Sequence, residues 1–129
     1  MADYVPIFTS GSVPFTATTG GAVTAGRVLI ASATGAVTHA AADATGVVGV
    51  AAHDAASGAK VTVWPLDGVV HQLEATGAIT ALAGVVTDAA GQVKTATIAT
   101  AAAAGTLIGT ALTTAAGSPT LLLQVQGRR

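Results

Sequence analysis

Along this chain the apolar positions return with the two-residue period of strands, not the 3.6-residue period of helices. In "TLLLQVQ" (120–126), Leu121, Leu123 and Val125 fall on one side, and Leu122, Gln124 and Gln126 on the other. "KVTVWPL" (60–66) sets Val61 and Val63 against Lys60 and Thr62, until Pro65 ends the pattern or marks an edge. "RVLIAS" from Arg27, "GVVGVAA" from Gly46 and "GVVHQLEA" from Gly68 are short and rich in β-branched residues. The pieces "SATGA", "AASGA", "LDG" and "DAAGQ" read as turns. In turns Gly supplies positive φ, and Asp or Ser bonds the nearby backbone. Strand-like runs recur roughly every 8–12 residues, the signature of an all-β domain. With the helix propensity of alanine, Ala40–Ala44 and Thr97–Ala104 could each form a helical turn or two, but neither is long or periodic enough to predict a stable amphipathic helix.

The pattern occurs twice. "GAVTAGRVLIASATGAVTHA" starts at Gly21 and "GAITALAGVVTDAAGQVKTA" at Gly77, 56 residues later, with Gly35/Gly91 and Val37/Val93 keeping the spacing. Val48-Gly49 then matches Ile108-Gly109 at a spacing of 60. The expectation is one all-β domain over 21–129, a small β-barrel or β-tulip-like domain, with two similar β-units at 21–68 and 77–127. Two copies at so long a period do not make a solenoid. Residues 1–20 find no counterpart. Pro6 and Pro14 bias Val5 and Val13 toward extended geometry, which predicts an extended N-terminal arm. Its apolar residues Tyr4, Val5, Ile7, Phe8 and Phe15, with Pro6 between them, either pack as a first strand of the domain or dock on a partner by strand addition.

Composition narrows the role. The 129 residues include 31 Ala, 20 Thr, 16 Gly and 16 Val but only four aromatics, so the core must be thin and built on Val, Leu and Ile. Only 9% of residues are charged, about a third of the ~25% of an ordinary domain, and none is charged between Thr95 and Gly127. Such a surface suits an assembly whose neighbours cover it. With a net charge of −1 and basic residues clustered only at Arg128-Arg129, nucleic-acid binding is not expected. Without cysteine there is no disulfide, thiolate zinc site or thiol nucleophile. The most apolar stretch, Ile98 to Gly117, has three Gly, five Thr and only four Ile or Leu, so no membrane span is expected. The N-terminus lacks a basic n-region followed by an apolar h-region, so it does not read as a secretory signal.

The chain offers little chemistry. His39, His53 and His71 are its histidines and Glu74 its one glutamate. His53-Asp54 invites a general-base reading, but adjacent residues on an extended chain point to opposite sides, so the pair reads as a polar strand end and an Asp that opens a turn. His39 and Asp43 lie on a strand-to-loop segment, and His71 shares a strand face with Val69 and Leu73. There is no G-x-S-x-G elbow and no phosphate-binding G-x-x-x-x-G-K-[ST] loop. Trp64 reads as a core or interface anchor. No catalytic residue, cofactor, metal or small-molecule substrate is expected.

The ordered run of Gly/Val motifs at Gly46–Ala52, Ala55–Val63, Gly68-Val69, Gly77–Thr80, Asp88–Val93 and Leu107–Leu112 resembles the small phage capsid cement, or decoration, proteins of the DUF2190 type. The likeness covers most of the chain from about Gly20 onward. It departs at Thr80–Val86, where the family often carries a charged or aromatic residue after the glycine. The resemblance implies a non-enzymatic virion protein, a homotrimer on the exterior of the head at or near threefold and pseudo-threefold axes. There it would clamp neighbouring subunits of the major capsid protein. A receptor- or carbohydrate-binding β-module of a virion is the alternative; it would need more exposed aromatics than Tyr4, Phe8, Phe15 and Trp64. A small β-barrel enzyme or a DNA-associated phage protein ranks below both.

Overall fold

The computed structural model describes residues 13–66 and 69–115, and the backbone of 122–127. The strands group by chain order into two antiparallel sheets. The first holds β1 (Phe15–Thr18), β2 (Val28–Ala31), β3 (Val37–His39), β4 (Val47–Ala51) and β5 (Lys60–Trp64), in spatial order β1-β5-β4-β2-β3. The second holds β6 (Val70–Glu74), β7 (Gly84–Thr87), β8 (Val93–Ala96), β9 (Gly109–Ala111) and β10 (Leu122–Gly127), in order β6-β10-β9-β7-β8. Replacing each strand of the first sheet by the one five later reproduces the second. The all-β class and the two similar units are therefore both present.

The correspondence reaches single bonds. Thr19 bridges Val37 in parallel as Ala75 bridges Val93, and Val23 pairs with Ala55 as Ile79 pairs with Ala115. Gly26 donates to the Ala51 carbonyl as Leu82 donates to that of Ala111. The unit also starts earlier than the sequence echo. Phe15–Thr18 of the expected arm form β1, an edge strand paired antiparallel with β5 (Phe15 opposite Val63), in the place that β6 holds in the second sheet. Residues 1–12 of the arm lie outside the described residues.

The barrel does not close. Closure needs a continuous ladder between the first and last strands. Here the edges β1 and β3, and likewise β6 and β8, meet only through the parallel bridges Thr19–Val37 and Ala75–Val93. Each sheet curls over its own apolar side and stays open at a mouth. In the first, Val23, Leu29, Val37, Ala51, Val61 and Val63 fill the interior. In the second, Leu73, Ala75, Ile79, Val85, Val93, Ile108, Ala111 and Ala115 do so, together with Val28, Ala40, Val50 and Leu66 from the outer side of the first sheet. The first sheet thus plugs the mouth of the second. Full burial of each Val or Leu there contributes roughly 1.5–3 kcal/mol.

Polar contacts fix this plug. Arg27 donates to the Ala90 carbonyl (2.8 Å) and pairs with Glu74 (3.1 Å), which also accepts from Gln92. Lys94 pairs with Asp43 (3.1 Å), and the Thr87 hydroxyl donates to the Ala41 carbonyl while accepting from the Ala44 N–H. Gly91 donates to the Ala40 carbonyl.

The corresponding outer side of the second sheet is covered differently among the described residues. Helix α1 (Ile98–Ala104) covers it, with Ala101 of the helix and Leu107 just beyond it packing on Val86 and Ala96. The helical turn or two that alanine propensity allowed at Thr97–Ala104 is present, although seven residues are too few for a helix that is stable alone. The tertiary contact forms it, and Gly105 at φ 76° caps it by donating to the Ala101 and Ala102 carbonyls.

At Leu82 a side chain occupies the left-handed turn position (φ 73°) that Gly26 fills in the first unit (φ 78°), and it stands 74% exposed. Left-handed geometry costs an L-residue about 1–2 kcal/mol. With little burial to offset it, Leu82→Gly is expected to raise stability by about 0.5–1 kcal/mol, read as a higher urea midpoint at constant m-value.

Candidate interaction surface

The titratable groups serve the fold. His53 accepts from the Thr62 N–H at Nε2 (3.2 Å), and its Nδ1 faces the Asp54 main-chain carbonyl (3.0 Å). The Asp54 carboxylate turns away to accept from the Ala25 N–H (2.9 Å). The pair is therefore a turn lock and not an acid–base dyad. His39 accepts from the Thr24 N–H at Nε2 (2.9 Å); burial, and then the Arg27 charge, lower its pKa. His71 is fully buried and donates from Nε2 to the Pro65 carbonyl (2.8 Å), and burial pushes its pKa down to about 4. Asp88 accepts from the Thr76 hydroxyl (2.6 Å) and the Ala89 N–H (2.8 Å) at the start of a 3-10 turn. Those two hydrogen bonds, the Thr76 one first, hold its pKa below the usual range. Among the described residues no three His, Cys, Asp or Glu side chains group where they could hold a metal ion, and no helix is long and apolar enough to cross a membrane.

The mouth of the first sheet is a concavity of about 510 Å³ between the edge strands β1 and β3. Phe15, Ala17, Val37 and Val48 give it an apolar floor, and Ala31, Thr34 and Lys60 form part of its rim. Phe15 is 43% exposed, whereas its counterpart His71 is fully buried. Lys60 extends to the Thr18 hydroxyl (2.8 Å). Among the described residues it is the one cation with no carboxylate partner, because Arg27 and Lys94 are paired between the sheets.

The residues singled out from the sequence divide three ways. Tyr4, Val5, Pro6, Ile7 and Phe8 lie outside the described residues. Phe15 lines the mouth. Trp64 ends β5 opposite Val50 and is half-buried, on the strand side away from the fully buried Val61 and Val63. Lys60, Val48 and Ala31 were not singled out as site residues from the sequence. The correspondence of the two folded units marks Lys60, since Thr18 pairs with Lys60 as Glu74 pairs with Leu122.

No curated protein matches the chain. Among solved structures it is similar to the N base of head fiber gp8.5 of bacteriophage phi29, at 23% identity and a TM-score of 0.65, over 91% of this chain and 97% of that one. That likeness establishes a shared fold. The family model described as phage cement protein matches residues 7–126, nearly the whole chain. A β-scaffold whose described titratable groups are engaged in holding its own turns and sheets, matched end to end by that model, belongs to the phage cement proteins, a structural family of the phage capsid and not an enzyme family.

Proposed function

We propose that the chain is a decoration protein of the head exterior, sitting as a homotrimer at or near threefold and pseudo-threefold axes and clamping neighbouring subunits of the major capsid protein. The observation that carries this reading is the cement-family match across residues 7–126. The residue inventory supports it. Of the seven charged side chains among the described residues, four are spent in the two ion pairs between the sheets, which leaves a surface of Ala, Thr and Gly suited to cover by neighbours. The segment Tyr4, Val5, Pro6, Ile7 and Phe8 would reach the capsid beside Phe15, and Trp64 would anchor either the trimer or the domain. Many copies on one shell convert a weak single contact into firm attachment through high effective concentration.

The test combines particle composition with truncation. Purified virions should contain the chain in near-stoichiometric proportion to the major capsid protein. Deletion of residues 1–12, which spares the β1–β5 ladder, should leave a folded trimer that no longer decorates heads. Absence from virions would overturn the role, and unchanged decoration by the truncated chain would overturn the part given to the arm.

A further inference from the structure

We propose that the mouth of the first sheet is the docking site for an apolar, carboxylate-bearing segment of a capsid subunit. This rests on the decoration role proposed above and names the contact that would carry it. The argument uses the second sheet as an internal template. There the equivalent mouth is occupied. Thr87, Ala90 and Gly91, the counterparts of Ala31, Thr34 and Gly35, meet chain 40–44 and Arg27, while Leu73, Val93 and Ile108 pack with Val28, Ala40 and Val50. The first mouth presents the same floor through Ala17, Val37 and Val48, with no described residue filling it. The same curled sheet therefore offers the same concavity twice, and among the described residues only one is filled from within the chain.

Among the described residues, a second copy of the chain offers no free sheet face as occupant. The outer side of its first sheet already lies in its own second mouth, and the outer side of its second sheet lies under α1. The charge also differs. Where the filled mouth offers Glu74 to Arg27, the open one offers Thr18 and Lys60. An arginine-bearing plug would meet a like charge, whereas a carboxylate-bearing one would be paired. Desolvation of the apolar floor around such a pair strengthens it. The occupant is thus a short extended segment with small apolar side chains and an Asp or Glu, supplied by the shell.

The test measures binding of the full-length chain to heads assembled without it. Two rim variants, Lys60→Glu and Ala31→Trp, alter exposed side chains and should each weaken head binding by roughly tenfold or more, with unchanged urea midpoint and unchanged sedimentation. Ala103→Glu, on the exposed side of α1, should bind as the wild type does. If the wild-type chain fails to bind heads, the decoration role falls and this inference with it. If the wild type binds and both rim variants bind equally well, the mouth is not the contact although the role stands. If the rim variants instead change the oligomeric state, the mouth holds another copy of the chain, and the inference is overturned.

Discussion

Gly91→Ala is expected to destabilise the domain by roughly 2–5 kcal/mol, whereas Gly35→Ala, at the equivalent position, should cost only about 1–2 kcal/mol. Both glycines sit at positive φ, 74° and 82°, so both changes carry the backbone strain of an L-residue in the left-handed region. They differ in what surrounds the new methyl. A Cβ at Gly35 meets nothing within 4 Å. One at Gly91 would lie 2.7 Å from the Val28 carbonyl oxygen and 2.9 Å from the Arg27 Cβ, inside the contact that joins the sheets. Relief would require moving the strand that carries Val28 and the Arg27–Glu74 pair. Since a domain is stable by only about 5–15 kcal/mol in all, the loss at Gly91 is a large fraction. Urea titrations of the two variants check the difference. Similar midpoints would mean that the sheets are not held as closely as described.

Acid should weaken the fold through His71. Its pKa is lowered to about 4 from an ordinary 6.5, because the ring is buried as the neutral form that donates to Pro65. The unfolded chain binds a proton as pH falls through 6.5, and the folded chain does so only near 4. The stabilisation is therefore complete above pH 6.5, shrinks between 6.5 and about 4, and is gone below. A shift of this size corresponds to about 3 kcal/mol. His39 acts with the same sign: its pKa is also lowered, and a protonated Nε2 could not accept the Thr24 N–H. Asp88, with a lowered carboxyl pKa, adds its loss only at lower pH, as that carboxylate titrates. Denaturation midpoints at pH 7.5 and pH 4 should show the drop. His71→Gln, which keeps a donor for the Pro65 carbonyl, should flatten most of it. A slope unchanged by that substitution would assign the acid sensitivity elsewhere.

Much of this was legible before any fold was known, and the misses have definite causes. The alternation of Val61 and Val63 with Lys60 and Thr62 located β5, and Pro65 ended it. The Gly21/Gly77 echo found the two units because their turns demand the same glycines. It missed β1, because the strands β1 and β6 share a position and no residues: Phe15, Thr16, Ala17 and Thr18 stand where His71, Gln72, Leu73 and Glu74 stand. Strand pairing runs through main-chain groups that every sequence has, so equivalent strands can lose all likeness. Helix α1 was legible only as a helical turn or two, because its stability comes from Val86 and Leu107 and not from its own seven residues.

The sequence by itself determined the strand class, the turn positions, the doubled unit and the poverty of reactive groups, all of which depend on residue type and local period. It also carried the ordered motifs by which the family is recognised. Only the tertiary structure decided, among the described residues, that neither sheet closes, that one mouth is plugged and the other open, and that Lys60 is left outside the ion pairs. Those outcomes depend on contacts such as Arg27–Glu74 and Lys94–Asp43. Such pairs lie about fifty residues apart, and nothing in local propensity or alternation specifies which charge meets which once the sheets pack.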